Sequence, residues 1–187
     1  MKTKNLELLP LTLQHLLALM EGADAFETSS GHRIAEGIHE MMNAGDLSED
    51  FLTKLKSAPE ADPWTFGFMV LNTADDLVIG ACGFKGPPDA DGIVEIAYGI
   101  APGCCGRGFA TEVARALVAH ALEDERVRDV RAHTLPEPNA STRVLVKCGF
   151  RRTGEVIDPE DGLVWRWEYT AAGGNPVADR HETSTVA

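Results

Sequence analysis

Apolar residues in the first third of this chain recur at the spacings of short strands and amphipathic helices. Leu6 to Leu9 predicts a strand that Pro10 ends, and Thr12 caps a helix that runs to about Met20. A second helix is predicted by apolar residues four, seven and eight positions after Ile34, namely Ile38, Met41 and Met42. Gly45 would stop this helix. A short helix capped by Ser48 ends before Pro59 and carries Phe51, Leu52 and Leu55.

After Pro63 the pattern changes to that of strands. Residues 64–71 are apolar on both faces, as in a buried strand, and 72–76 form a turn. A second strand at 77–84 makes a hairpin with the first, and a loop at 86–92 leads to a further strand at 93–100.

A strand–helix–strand unit follows. A glycine-rich turn opens a helix that ends near Leu122, with a core-facing stripe of Phe109, Val113, Ala116, Leu117 and, at its margin, His120. Val130 to Leu135 is predicted as the next strand, so the crossover is right-handed and the two strands pair in parallel. A short helix at 141–148, stopped by Gly149, precedes a final hairpin of 150–156 and 163–169.

The length of the chain favours one domain. Residues 1–170 contain all the predicted helices and strands, and 171–187 are predicted to be a C-terminal tail that adds little to the core.

Composition narrows the class of protein. Hydrophobic residues make up 44% of the chain and charged residues 25%, as in an ordinary soluble globular protein. No apolar run reaches the roughly 18 residues of a membrane span and no secretory signal is evident, so we expect no membrane partner and a cytoplasmic location. The cysteines at 82, 104, 105 and 148 fit no zinc spacing, so we expect no metal.

Charge is distributed unevenly along the chain. The net charge of −12 argues against a nucleic-acid partner. Residues 1–100 hold 16 acidic and 6 basic side chains, whereas residues 126–152 hold seven basic and two acidic ones. The acidic part would suit a cationic ligand and the basic segment an anionic one, unless these charges only solvate the surface.

The turn Gly103-Cys-Cys-Gly-Arg-Gly108 is the most informative local feature. Backbone N–H groups at a helix N-terminus point at one spot, where the helix dipole adds partial positive charge. Gly106 and Gly108 have no Cβ, so a phosphate can approach closely. The glycine spacing matches neither a dinucleotide fingerprint nor a P-loop. We expect a phosphate-bearing ligand here; the alternative is a helix cap that binds nothing.

Three segments together resemble the GNAT superfamily of acyl-CoA N-acyltransferases, and within it the RimJ/RimL-type branch. They are Glu95-Ile-Ala-Tyr-Gly-Ile-Ala-Pro102, Gly106-Arg-Gly-Phe-Ala-Thr-Glu112 and Pro138-Asn-Ala-Ser-Thr-Arg-Val-Leu-Val-Lys-Cys-Gly-Phe150. The resemblance covers about residues 5–170. It implies an α/β (α+β) fold with a mixed, mostly antiparallel central sheet of about six or seven strands. A parallel, splayed pair lies in that sheet, and helices flank it.

The resemblance also implies acetyl-CoA as co-substrate. Its pyrophosphate would bind the backbone of Gly106, Arg107, Gly108, Phe109 and Ala110, with Thr111 just inside the helix. The pantetheine arm would pair with the strand edge of Tyr98, Gly99 and Ile100, where Gly99 and Pro102 independently favour an unpaired edge. Asn139 would contact the arm and Ser141 its thiol side, unless each residue only caps the helix that follows. Gly103 stands where the family has Gln or Arg, so side-chain assistance from that position is lost.

Glu95 is the predicted general base. It is a lone carboxylate in an apolar strand, beside the edge expected to hold the thioester, and it alternates with Ala97 and Gly99, which leave room for a substrate. A solvated glutamate is the alternative, and His133 is a rival base.

Two further positions bear on catalysis. Ser141 is predicted to assist departure of the thiolate, unless it only caps its helix. Leu145 stands where many relatives place a general-acid tyrosine, so that acid is absent at this position. By resemblance, a backbone N–H near Ile100 would stabilise the oxyanion.

The predicted function is that of an N-acetyltransferase acting on a primary amine, either a protein N-terminal α-amine or a small, cationic amine. Residues 11–62 would form the lip that contacts this substrate. Two alternatives stay open: a non-catalytic acyl-CoA-binding module with the same fold, and a structural protein that binds no cofactor. Both a monomer and a homodimer are compatible with the sequence.

Overall fold

A computed structural model describes residues 1–43, 53, 62–159 and 161–170. The strands in these residues are β1 (Leu6–Pro10), β2 (Arg33–Ile34), β3 (Phe68–Asn72), β4 (Leu77–Phe84), β5 (Ile93–Ile100), β6 (Asp129–Thr134), β7 (Arg151–Asp158) and β8 (Gly162–Thr170). The α-helices are α1 (Leu13–Glu21), α2 (Ala23–Ser30), α3 (Ile38–Asn43), α4 (Phe109–Ala121) and α5 (Ala140–Cys148).

One open, mixed sheet connects all eight strands. The strand order is β1-β3-β4-β5-β6-β8-β7, and β2 adds a short parallel pairing to β4. Along the main path only β5 and β6 are parallel, and the other neighbours are antiparallel. The predicted mixed sheet with one parallel pair from the strand–helix–strand unit is therefore confirmed, while the β2–β4 pairing was not predicted.

Strand β3 lies at the centre of the core because helices cover both sheet faces. Phe68 and Val70 belong to the cluster that packs against α4, and Met69 and Leu71 belong to the cluster that packs against α1 and α2. Alternate residues of a strand point to opposite faces, so a strand buried on both sides is apolar throughout. All five residues of β3 are buried. The sequence predicted this for residues 68–71, whereas Asn72, predicted in the following turn, is the last residue of the strand.

Helix α4 packs its apolar face on the sheet. Phe109, Val113 and Leu117 are buried as predicted, together with Ala114, Val118 and Ala121. His120 lies at the margin of this face, between the rings of Trp64, Phe68 and Phe84. The amphipathic period therefore predicted which side of this helix faces the core.

The predicted second helix exists, but its start was predicted too early. Ile34 lies in β2, where it pairs with Val78, and the helix α3 begins only at Ile38. Gly31 and Gly37, with φ of 75° and 85°, interrupt the helical path on either side of β2. Helix α2, which precedes Gly31, was not predicted because its small and polar residues show no apolar stripe.

The start of β3 was also predicted too early. Residues 63–66 form a turn in which Asp62 accepts hydrogen bonds from the Trp64 N–H (3.2 Å) and the Thr65 hydroxyl (2.6 Å). Gly67 has φ of 69°, and a Cβ there would lie 2.6 Å from the carbonyl oxygen of Cys82. The aromatic residues before Gly67 therefore pack from a turn rather than from a strand.

Some predicted features lie outside the described residues. These are the Gly45 stop, the short helix capped by Ser48, and the C-terminal tail at 171–187. In the part of the chain that is described, no helix combines the length and apolar character that crossing a membrane requires.

Glu112, in the first turn of α4, attaches the N-terminal segment to that helix. Its carboxylate accepts hydrogen bonds from the Thr3 hydroxyl (2.5 Å), the Asn5 backbone N–H (2.7 Å) and the Asn5 side-chain amide (2.9 Å). Burial alone would raise the pKa of Glu112, but the hydrogen bonds from Thr3 and Asn5 outweigh it and lower the pKa below its ordinary value of 4.5.

We expect Glu112→Gln to lower the free energy of unfolding at pH 7 by about 1 kcal/mol, since solvent screens this partly exposed site. Because the folded-state pKa is depressed, the contribution of the carboxylate is present above pH 4.5 and is lost as the pH falls through the folded-state value. Urea unfolding at several pH values checks this. Glu125→Gln, at an exposed position, is the control; an equal loss in both variants, or a loss that persists in acid, would contradict the prediction.

Candidate active site

The parallel strands β5 and β6 separate after a short common stretch. They pair at Ile93 with Asp129, Val94 with Val130 and Glu95 with Arg131, and no further pair follows. Beyond this point β5 remains paired with β4, and β6 remains paired with β8. The edge of β5 that faces β6 is therefore unpaired from residue 96 to 100 within the described structure, where the sequence predicted an open edge.

The glycine-rich turn lies at the far end of this open edge. A 3₁₀ turn, Pro102–Cys104, leads from β5 to Gly106 and Gly108, whose φ values are 78° and 87°. A Cβ at either glycine would meet no atom within 4 Å, so the space over the turn is open. Glycine is required here by the left-handed backbone and not by crowding.

The backbone amides of the turn have no hydrogen-bond partner among the described residues. Among the described residues, no oxygen accepts a hydrogen bond from the N–H groups of residues 106–111, and Gly108 gives α4 no side-chain cap. A helix N-terminus without a cap presents free donors and partial positive charge. The predicted phosphate-binding residues Gly106, Arg107, Gly108, Phe109, Ala110 and Thr111 thus form one donor surface.

Basic side chains reach this surface from several elements. Arg107 lies over the Phe109 ring, 4.8 Å from its centre. A cavity of about 690 Å³ beside Gly108 and Thr111 is lined by Lys4, Arg115 and Lys147, among others.

The basic segment 126–152 as a whole does not converge on the turn. Arg126, Arg131 and Arg152 form ion pairs with Asp124, Glu168 and Glu155. Lys147 is the member of the segment that lines the cavity at the turn. Each of these three arginines therefore already has an acidic partner, which agrees with the alternative that part of the segment's charge only solvates the surface.

Glu95 lies where β5 and β6 begin to separate, and it is not a lone carboxylate. Its Oε1 is 2.9 Å from Lys85 Nζ and 3.0 Å from His133 Nδ1. The His133 ring is oriented so that the second approach is not a regular hydrogen bond. The prediction of an isolated carboxylate missed Lys85, which directly follows the antiparallel strand β4 and donates its backbone N–H to the Glu95 carbonyl (2.9 Å).

Room for a substrate exists beside Ala97 but not beside Gly99. Ala97 is exposed, whereas a Cβ at Gly99 would lie 2.9 Å from the sulfur of Met41. Helix α3 therefore covers the strand at Gly99, and the prediction of open space there is wrong. This contact also places part of the predicted lip, residues 11–62, beside β5; residues 44–52 and 54–61 of that range are outside the description.

Asn139 and Ser141 take different places at the start of α5. Asn139 is the N-cap: its side-chain oxygen accepts the Thr142 N–H at 3.0 Å, and the Thr142 hydroxyl accepts the Asn139 N–H at 3.0 Å. This reciprocal cap uses the oxygen of Asn139, so only its amide N–H₂ remains for a ligand. Ser141 is not the cap, and it lines a cavity shared with Glu95 and His133.

Tyr98 contributes a feature that the sequence did not indicate. Its hydroxyl is buried beside Ser141 and makes no regular hydrogen bond to any described residue. Burial raises the pKa of the Tyr98 phenol, and the nearby Ser141 hydroxyl opposes this only in part. The Tyr98 phenol is therefore a neutral hydrogen-bond donor. It is carried by β5, whereas the general-acid tyrosine of many relatives would stand at position 145 on α5.

The cavity where the strands separate has a volume of about 180 Å³. Its lining is Lys85, Glu95, Ile96, Ala97, Tyr98, Ala132, His133, Ser141 and Asp161. It thus joins the predicted base, the predicted serine and the unpaired strand edge. Asp161, from the turn between β7 and β8, was not predicted, because only the tertiary structure brings that turn to this place.

Comparison with known proteins defines the class of this site. The family model described as the acetyltransferase (GNAT) domain matches residues 5–151. The chain therefore belongs to the GNAT acetyltransferase family. It is 29% identical over 93 residues to an uncharacterised N-acetyltransferase, p20, of Bacillus licheniformis. The aligned region covers 50% of this chain and 52% of that protein. The chain thus aligns with about half the length of the curated relatives it matches.

Solved structures share the fold at low sequence identity. A ribosomal-protein-S5-alanine acetyltransferase from Vibrio fischeri superposes with a TM-score of 0.61 at 12% identity, covering 94% of this chain and 98% of that one. The aminoglycoside acetyltransferase AAC(6')-Ib, in complex with coenzyme A, superposes with a TM-score of 0.60 at 20% identity, covering 88% and 94%. These likenesses confirm the GNAT fold.

The residues of this chain fit coenzyme A. The free amides of residues 106–111 suit its pyrophosphate, and the unpaired backbone of Tyr98, Gly99 and Ile100 suits an extended arm that carries amide groups. In the described residues, no group of histidine, cysteine and carboxylate side chains is arranged to hold a metal ion.

We expect Gly106→Ala to weaken the binding of coenzyme A about tenfold or more, because a methyl group would enter the open space over the amides. Gly162→Ala is the matched control: Gly162 also has a left-handed φ, 72°, and open surroundings, but it lies in the β7–β8 turn. Both variants should lose about 1 kcal/mol of stability from the backbone strain. Calorimetric titration with coenzyme A distinguishes them, and equal affinities would contradict a phosphate site at this turn.

Proposed function

We propose that this chain transfers an acetyl group from acetyl-CoA to a primary amine by direct attack in a ternary complex. The observation that carries the proposal is the cavity where β5 and β6 separate. There, Glu95 and Ser141 face one space at the end of an unpaired strand edge, and that edge leads to the free amides of the turn. The GNAT family membership supports the same activity.

Acetyl-CoA supplies the acetyl group as a thioester, which a neutral amine attacks. Glu95 would accept the amine proton, and the backbone N–H near Ile100 would stabilise the developing oxyanion. Ser141 would donate a hydrogen bond to the departing sulfur. Every one of these roles uses a group on β5 or at the start of α5, so the point of strand separation brings them together.

The acceptor is either a protein N-terminal α-amine or a small amine, which would place the chain in the RimJ/RimL-type branch. An α-amino group with a pKa near 8 requires about 1.4 kcal/mol to become neutral at pH 7, against about 4.6 kcal/mol for a lysine amine. The smaller cost favours the α-amine, because less assistance from a base is then required.

A screen of amines with acetyl-CoA, read by thiol release, tests the function. Release with any acceptor supports the enzyme. Binding of coenzyme A by calorimetry without release across the panel would favour a non-catalytic acyl-CoA-binding module. If coenzyme A does not bind at micromolar concentrations, the result would favour a structural protein that binds no cofactor.

Glu95→Gln should lower kcat about a hundredfold or more, because it removes the proton acceptor while keeping the shape of the side chain. The affinity for acetyl-CoA should change little. Steady-state kinetics and calorimetry measure the two quantities, with Glu123→Gln, an exposed residue at the end of α4, as control. Unchanged turnover across the pH range would remove Glu95 from the mechanism.

Ser141→Ala should lower kcat about tenfold to a hundredfold, the effect of losing one hydrogen bond to a charged group, and should spare coenzyme A binding. Because Asn139 and not Ser141 caps α5, the thermal midpoint should stay the same. Ser141→Thr retains the hydroxyl and should recover activity. Wild-type kinetics in the alanine variant would assign Ser141 no catalytic role.

A further inference from the structure

Lys85 places an ammonium group on the predicted catalytic carboxylate. Its Nζ is 2.9 Å from Glu95 Oε1, and it lines the same cavity as Ser141 and His133. The lysine is the most accessible member of this cluster: its side chain is 47% exposed, against 20% for Glu95 and 15% for His133. The Lys85 ammonium group therefore covers Glu95 from the solvent side.

A second carboxylate lies within reach of the same ammonium group. Asp158 Oδ2, at the end of β7, is 4.0 Å from Lys85 Nζ, and Asp161 lines the cavity. Burial alone would lower the pKa of Lys85, but the hydrogen bond to Glu95 and the charges of Glu95, Asp158 and Asp161 outweigh it and raise the pKa. Lys85 is thus a stable cation that several acidic groups share, and not a nucleophile.

A general base must lie within hydrogen-bond reach of the proton that it removes. While Lys85 contacts Glu95, an incoming amine has to share or displace that contact. Most acceptor amines arrive as ammonium ions at neutral pH, so the exchange replaces one ammonium group by another. Asp158 offers the displaced lysine another partner, so neither charge is left unpaired.

We propose that Lys85 occupies the acceptor's ammonium position on Glu95 and is displaced towards Asp158 when the acceptor binds. The inference rests on the acetyl-transfer function proposed above and identifies the residue that competes with the substrate in that site. Lys85 then sets the affinity for amines: it holds Glu95 in the absence of substrate, and only a cation can replace it without loss of charge pairing.

The size of the effect follows from the exposure of the pair. Ion pairs in contact with solvent contribute up to about fivefold in an equilibrium constant. Removing the lysine charge should therefore tighten amine binding about twofold to fivefold.

The test is the binding of spermidine, a polyamine probe, to the full chain without acyl donor, by calorimetry. Lys85→Met should lower the Kd for spermidine about twofold to fivefold. Lys2→Met removes the same charge at a side chain that is 79% exposed and paired with Glu7, and it should leave the Kd unchanged. In a Glu95→Gln background, Lys85→Met should no longer tighten spermidine binding, because the carboxylate for which Lys85 and spermidine compete is gone.

Three results would overturn the inference: an unchanged or higher Kd in Lys85→Met, the same tightening in Lys2→Met, or the same tightening in the Glu95→Gln background. Thermal midpoints identify any variant that fails to fold, and Lys85→Gln then replaces Lys85→Met. The two proposals fail separately. If Lys85→Met tightens spermidine binding but no amine causes thiol release from acetyl-CoA, the competition between Lys85 and amines stands and acetyl transfer is refuted. If thiol is released but spermidine binding does not tighten, only the role of Lys85 is refuted.

Discussion

The separation of β5 from β6 is the constraint on which the rest of the site depends. Only three residue pairs join these strands, and Glu95 is the last residue of β5 to take part. Each strand keeps its other neighbour, β4 or β8, so the sheet stays intact when the shared edge opens. The opening exposes unpaired backbone groups of β5 inside the sheet, and an unpaired strand edge favours an extended ligand with amide groups.

Electrostatics divides the opened region into two ends. At the α4 end, free amides, a helix N-terminus and Lys147 favour an anion, and the carboxylate of Glu112 is already satisfied by Thr3 and Asn5. At the other end, Glu95 and the acids of the β7–β8 turn surround a single lysine. A molecule that is anionic at one terminus and meets a cationic partner at the other matches this arrangement, as an acyl-CoA donor and an amine acceptor would.

The residues at the acidic end come from distant parts of the sequence. Lys85 follows β4, Glu95 lies on β5, His133 on β6 and Asp158 on β7. Their approach depends on the strand order, in which β6 pairs with β8 and not with β7. Asp158 lies 73 residues after Lys85 in the sequence. Its carboxylate approaches the Lys85 ammonium group because the sheet brings the ends of these strands together.

The sequence by itself determined the strands and helices whose signals are local. The apolar runs of β4 and β5, the apolar stripe of α4 and the glycine turn depend on the side chains and backbone preferences of neighbouring residues, so these elements were predicted correctly. The tertiary structure alone decided which side chains meet: Lys85 on Glu95, Tyr98 beside Ser141, and Met41 against Gly99. Contacts between strands depend on register and on sheet order, and these are set by packing across the whole core rather than by any local segment.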